Sequence, residues 1–382
     1  MKYRTLGRTG LQVSEIGVGC EAMVAKPFSF VKEFVDAMES AGVNCIDLYS
    51  PHPEFRSNLG KALRGRRDKF VLQAHLCTVW KNGQYKRTRD IDEVKASFAD
   101  QLRRLETDHV EIGMVHYVDA MADWERVKNG EIMEYALALR EQGVIGCIGM
   151  SSHNPEVALA AVDSGLIDVL MFSINPCYDL LPGTERVSLL SASESYDQPL
   201  VNMDPQRQAL YEECQRRGVG ITVMKVFGGG DLLREDLSPA GKALTHYQCL
   251  QYALDRPGVA SVLAGAMTPE ELGHTIAYED APAAERDYAE AFAAFPKISW
   301  KGHCMYCGHC APCPKGIDIA AVTKFLNLAV AQGQLPETVR EHYGVLPHKA
   351  GECIGCGSCE ERCPFAVPVV ENMKKAVEIF GT

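Results

Sequence analysis

Eight of the fifteen cysteines fall after residue 300, in two runs that fix what this end of the chain must fold around. "CMYCGHCAPCP" places Cys304, Cys307, Cys310 and Cys313 before Pro314, and "CIGCGSCEERCP" places Cys353, Cys356, Cys359 and Cys363 before Pro364. The second run has the bacterial ferredoxin spacing, and the first differs in a shorter last gap. A closely spaced trio wraps three corners of an iron-sulfur cubane, while the fourth cysteine, carried onward by the proline turn, reaches the other cubane. One [4Fe-4S] cluster is therefore expected on Cys304, Cys307, Cys310 and Cys363, and another on Cys353, Cys356, Cys359 and Cys313. A zinc site needs four ligands and no such repeat. A secreted disulfide framework belongs to far shorter chains.

Between the runs, "DIAAVTKFLNLAVAQG" sets Ile319, Val322, Phe325, Leu326 and Val330 at helical spacing, and "VPVVENMKKAVEIF" repeats the pattern. The C-terminal module is thus expected to be helical around its clusters. It resembles the alpha-helical ferredoxin modules that feed electrons to larger oxidoreductases.

The preceding residues alternate short apolar runs with amphipathic stretches of helical length, the sequence form of repeated βα units. Strands are expected at 13–20, 44–49, 69–76, 109–117, 145–152, 168–175, 220–227 and 260–267. Eight such units specify a (β/α)8 barrel better than an open doubly wound sheet. We expect a barrel over 1–295 and a ferredoxin-like domain over 296–382. "FGGGD" (227–231) follows the seventh strand, where barrels often bind phosphate, and lacks the G-x-G-x-x-G spacing. Between the sixth strand and its helix, Tyr178 to Asn202 carries no periodicity, as expected of a loop that covers an active site or is disordered.

A formal charge of −11 and no compensating basic run argue against nucleic acid as a partner. No apolar run is long enough to span a membrane, and "MKYRTLGRTG" lacks the apolar core of a signal peptide, so a cytoplasmic location is expected.

"YRTLGRTGLQVSEIGVGC", "GVNCIDLY", "SNLGKALRGRRDKFVL", "LRRLETDHVEIGMVH", "GVIGCIGMSSHNPE" and "GITVMKVFGGG" together resemble the aldo-keto reductase superfamily. The whole chain resembles the branch with a C-terminal ferredoxin domain. The resemblance implies an NADP(H)-holding barrel and a carbonyl site of Asp, Tyr, Lys and His at the ends of strands two to four. There the tyrosine donates a proton, the lysine lowers its pKa, the aspartate pairs the lysine and the histidine orients the carbonyl.

Asp47 and His116 occupy the aspartate and histidine positions, but the tyrosine position falls on His52 and the lysine position on His75. The nicotinamide pocket departs as well, with Ser152, Ser173 and Met267 where asparagine, glutamine and arginine are expected. These departures argue against hydride transfer from NADPH. If NADP(H) does bind, its contacts fall on Ser151, Ser152, Lys225, Gly228, Gly229 and Gly230.

Asp47, His52, His75 and His116 remain, projected from neighbouring strand ends. They could form an acid-base apparatus fed with electrons by the clusters. They could hold a divalent metal that polarises a carbonyl. Or they could be ordinary hydrogen-bonded residues of a barrel mouth, with His52, between Pro51 and Pro53, turned to solvent.

Tyr49, Tyr117 and Tyr178 lie near strand ends as possible substitutes for the missing hydroxyl acid. Cys177 is the barrel thiol to test for reactivity. "QYKRTRD" (84–90) reads as a solvated basic loop. The expected function is an iron-sulfur oxidoreductase acting on a small carbonyl-type substrate, with a ferredoxin or flavodoxin as electron donor. NADP(H)-dependent reduction with auxiliary clusters is one alternative, and a non-catalytic electron-transfer or redox-sensing protein the other.

Overall fold

The strands expected from the alternation of apolar runs close into one parallel barrel. They are β1 (Ile16–Gly19), β2 (Cys45–Leu48), β3 (Val71–Leu76), β4 (Val110–Val115), β5 (Ile145–Ser152), β6 (Val169–Ser173), β7 (Gly220–Met224) and β8 (Val259–Ala264). β1 pairs with both β2 and β8, which removes the open edges of a doubly wound sheet. The computed structural model describes residues 1–197, 200–293, 298–299, 302, 304–331 and 335–382. The expected boundary between 295 and 296 lies outside the described residues.

β1 is shorter than its apolar run because Gln12–Ser14 pair antiparallel with Tyr3–Thr5 instead. This hairpin carries Leu6 and Val13 into the interior core with Cys45, Ile112, Met114 and Val169. The outer layer is α1 (Phe28–Ala41), α2 (Pro53–Leu63), α3 (Ile91–Leu105), α4 (Met121–Lys128), α5 (Glu131–Glu141), α6 (Pro155–Asp163), α7 (Pro205–Arg217), α8 (His246–Leu254) and α9 (Pro269–Ile276). Several start where an Asp, Asn or Thr side chain caps the first turn, as at Asp90, Asn154, Asp204 and Thr245.

Two insertions shape the mouth. After β3 the basic stretch is exposed as expected, but it is a hairpin and not an irregular loop: Thr78–Lys81 pairs antiparallel with Gln84–Arg87. Its turn is Asn82-Gly83, both left-handed (φ 56° and 75°), the geometry that matches the twist of a two-residue hairpin. After β6, short turns at Tyr178–Leu180, Val187–Leu190 and Ser193–Tyr196 replace regular structure, and Val187 reaches the cavity below. Residues 198–199 of this insertion lie outside the described residues.

The cysteine module is helical as expected, with helices Ile319–Ala331, Glu337–Gly344 and Val369–Phe380. Tyr343 and Phe380 stack at 3.9 Å in its core. It is tied to the barrel by buried Arg256, which donates to the Met305 carbonyl at 2.8 Å. Asp287 makes a second tie. Its carboxylate lies 2.6 Å from His309 Nε2, and its carbonyl accepts from Gln248 at 2.8 Å. Among the described residues no helix is long and apolar enough to cross a membrane.

Candidate active site

Strand register sets Asp47 beside Gln73 and His75 beside Met114, with His116 just past the end of β4. Their side chains form one continuous chain. Asp47 Oδ1 accepts from Gln73 Nε2 at 2.7 Å and lies 2.7 Å from His75 Nε2. His75 Nδ1 lies 2.7 Å from His116 Nδ1, and His116 Nε2 lies 2.7 Å from the Tyr85 hydroxyl. Asp47 and His75 are each 1% exposed, whereas Tyr85, on the inserted hairpin, is 38% exposed at the open end.

The hydrogen-bond pattern assigns the protons. An ionised Asp47 can only accept, so His75 carries its proton on Nε2. With neutral rings, His116 Nδ1–H then donates to His75 Nδ1, and Tyr85 O–H donates to His116 Nε2. Burial pushes His116 well below the usual histidine range, and the nearby His75, Arg89, His153 and Arg87 push the same way. Burial also raises the Tyr85 hydroxyl, with Arg87 and Arg89 opposing, so it stays a phenol at neutral pH.

These groups open on a cavity of about 1420 Å³ lined also by Tyr49, Tyr117, Ser151, His153, Lys225, Phe227 and the first turn of α8. Pockets for small molecules run to roughly 300–1,000 Å³, so there is room for more than a small substrate. Cys77, Tyr117 and Lys225, just beyond β3, β4 and β7, have left-handed backbones (φ 68°, 52° and 61°). Such strain in non-glycine residues costs roughly 1–3 kcal/mol each and gathers at functional sites.

Other expected residues do not join. His52 caps α2: its Nδ1 accepts from Phe55 N at 3.3 Å and its ring meets Trp80 edge-on at 4.6 Å. Pro53 opens the helix there, which makes the preceding residue a cap rather than a member of the cavity wall. We predict that His52→Ala leaves turnover unchanged and lowers stability by about 0.5–2 kcal/mol, read from urea unfolding.

The expected divalent metal on the histidines also lacks its site. His52 is elsewhere, and both ring nitrogens of His75 and of His116 are engaged with Asp47, Tyr85 and each other. Among the described residues no three His, Cys, Asp or Glu are arranged around one metal ion. Ser152 is buried against Asp119 and Asn154, and Gly228 faces Leu232, so neither lines the cavity, whereas Ser151, Lys225, Gly229 and Gly230 do. Tyr49 and Tyr117 line it, and Tyr178 does not. Burial pushes the Cys177 thiol up to about 12, which makes it unreactive.

Tyr85 is the residue that sequence reasoning missed. Its signal was the Asn82-Gly83 turn between two four-residue strands.

In the cysteine module, Cys313 lines one small cavity with Cys353, Cys356 and Cys359, walled by Ile317, Val369 and Met373. Burial, together with the nearby Cys307, Cys310 and Cys363, raises the Cys304 thiol to about 12. Each trio thus meets the fourth cysteine of the other run. In a cubane every thiolate binds a different iron, and iron supplies the positive charge that such crowded thiols lack. The residues fit iron-sulfur clusters.

Comparison with known proteins agrees with both halves. Residues 303–368 match the family model described as a 4Fe-4S dicluster domain. The oxidoreductase YqkF of Bacillus subtilis is 27% identical over 292 residues, covering 72% of this chain and 90% of that protein. The L-galactose dehydrogenase of Arabidopsis thaliana is 22% identical over 286 residues, covering 72% and 88%. An aldo-keto reductase from Bacillus halodurans shares the barrel with a TM-score of 0.59 at 24% identity, covering 75% of this chain and 94% of that one. Residues 15–294 match the Aldo/keto reductase family model, and the chain, an oxidoreductase, belongs to that family.

Proposed function

We propose that the chain interconverts a small carbonyl compound and its alcohol at the barrel mouth, with the Asp47–His75–His116–Tyr85 chain handling the proton. The observation that carries this reading is the unbroken run of 2.7 Å contacts from a buried carboxylate to a tyrosine hydroxyl on the cavity wall. Two [4Fe-4S] clusters, each on one cysteine trio and the fourth cysteine of the other run, would supply single electrons, two per carbonyl reduced, drawn from a ferredoxin or flavodoxin in the cytoplasm. The first cysteine loop lies one residue, Asp287, from the cavity-lining Gln248, which supports that direction of supply.

The chain's own residues do the rest. When the relay holds one extra proton, His75 is doubly protonated beside Asp47, and His116 Nε2–H donates to the Tyr85 oxygen. The phenol proton is then free to point at the substrate oxygen. Its transfer draws the His116 proton to Tyr85 and the His75 proton to His116. The relay ends with neutral rings and the substrate oxygen has gained one proton; a second proton, taken from solvent in the cavity, adds at the carbonyl carbon, so that two electrons and two protons complete the alcohol. Run backwards, the same shift accepts a proton from an alcohol.

The competing reading is hydride transfer from NADPH, for which the cavity has volume. Anaerobic protein with its clusters is titrated with NADPH while cluster absorbance is followed, and the reduced protein is then mixed with small aldehydes and ketones. We expect no tight NADPH binding and reoxidation by a carbonyl compound. Stoichiometric NADPH binding, with turnover that survives cluster removal, would overturn the proposal.

A further inference from the structure

Beside the relay, at the ends of β4 and β5, stands a second aspartate-histidine pair. Asp119, 2% exposed, accepts from His153 N at 2.6 Å and from Ser152 Oγ at 3.0 Å, and its other oxygen lies 3.0 Å from His153 Nδ1. Burial works to raise the Asp119 carboxyl, but the hydrogen bonds and charge of His153, helped by Ser152, outweigh it and hold it below the usual range.

His153 is 6% exposed, lines the cavity, and lies 5.3 Å from the Tyr117 ring. Its Nδ1 is committed to Asp119, and its Nε2 has no protein partner among the described residues. The backbone N–H and Ser152 already anchor Asp119, so a histidine with one nitrogen left open to the cavity is more than the loop needs.

The charges around it sharpen the point. Lys225 is the lone Lys or Arg among the described cavity residues, and no carboxylate among the described residues pairs with it. Its left-handed backbone is pinned by Asn175, which donates to its carbonyl at 2.9 Å. Of the acids on the wall, Asp47 is taken by Gln73 and His75, Glu21 by Tyr49, and Glu271 by the Met267 backbone. Glu285 is the exception.

We propose that His153, oriented by Asp119, is the contact of an anion subsite, with Lys225 steering the ligand in. The substrate is then a carbonyl compound bearing a carboxylate, such as a 2-oxo acid or its hydroxy acid. With Nδ1–H held by Asp119, Nε2 donates to the ligand when the ring carries both protons, and one such N–H fits one carboxylate oxygen, whereas phosphate sites gather several donors. Naming this substrate class rests on the carbonyl reading above, but the binding site does not depend on electron transfer.

The test is anaerobic calorimetry of the cluster-loaded protein with aldehydes and ketones paired as carboxylate and methyl ester, plus one phosphate-bearing analogue. We expect each carboxylate to bind about tenfold or more tightly than its ester, the scale of a charge-assisted hydrogen bond. His153→Asn, whose amide can still donate to Asp119, should abolish that difference. Lys225→Met, measured by stopped flow, should slow association severalfold and flatten its salt dependence.

Equal binding of acid and ester, or a preference that survives His153→Asn, would overturn the subsite. Tighter binding of the phosphate analogue would overturn the assignment to carboxylates. A carboxylate preference without any turnover would instead sink the carbonyl reading and leave the subsite standing.

Discussion

Tyr85→Phe is expected to lower turnover by about 10²–10⁴-fold, the usual contribution of a positioned acid or base, while substrate affinity changes little. Phenylalanine keeps the ring and its edge contact with Tyr49 but removes the one hydroxyl that joins the buried relay to the cavity. The loss should appear in kcat more than in KM, since the proton moves only as the reaction proceeds. Cluster absorbance and reduction by an external donor should be unchanged. In the wild type, burial raises Tyr85 above its ordinary value of 10, so its ionisation should put no fall in the rate below that pH. If Tyr85→Phe turns over at the wild-type rate, the relay does not end at this residue. Asp47→Asn offers a control from the other end, because an amide cannot balance a doubly protonated His75.

The second large effect concerns the cysteines. Cys363→Ser is expected to damage the cluster held by Cys304, Cys307 and Cys310, not the one held by its own run. Cys313→Ser should damage the other. In each variant iron should fall from roughly eight to roughly four atoms per chain if the altered cluster is lost, with one cluster's resonance removed from the reduced spectrum. Cys363→Ser removes the fourth ligand of the cluster held by the first cysteine loop, the one nearer the cavity, so electron delivery to substrate should fail while the remaining cluster still accepts electrons. If Cys363→Ser instead altered the cluster bound by Cys353, Cys356 and Cys359, each run would fold around its own cubane.

The barrel was legible because its eight apolar runs were separated by helical periodicity, and each observed strand falls within a residue of its expected span. Asp47, His75 and His116 could be found by counting along strands, since strand register is fixed by pairing. His52 could not. Its position was inferred across a loop, where counting does not fix direction, and Pro53 turned it into a helix cap. Tyr85 was hidden because the basic composition of its segment outweighed the Asn-Gly turn that made it a hairpin. The Asp119–His153 pair had no sequence signal, for it joins residues after different strands. Hydrogen-bond direction along the relay was likewise invisible until ring nitrogens had partners.

Asp287 holds the first cysteine loop through its carboxylate and a cavity-lining glutamine through its carbonyl. The two halves of the chain are therefore not interchangeable parts. Grafting the cysteine module of a relative onto this barrel would alter the shape offered to the substrate as well as the current reaching it. Inheritance as a matched set, with Asp287 as the shared joint, is the arrangement such a contact favours.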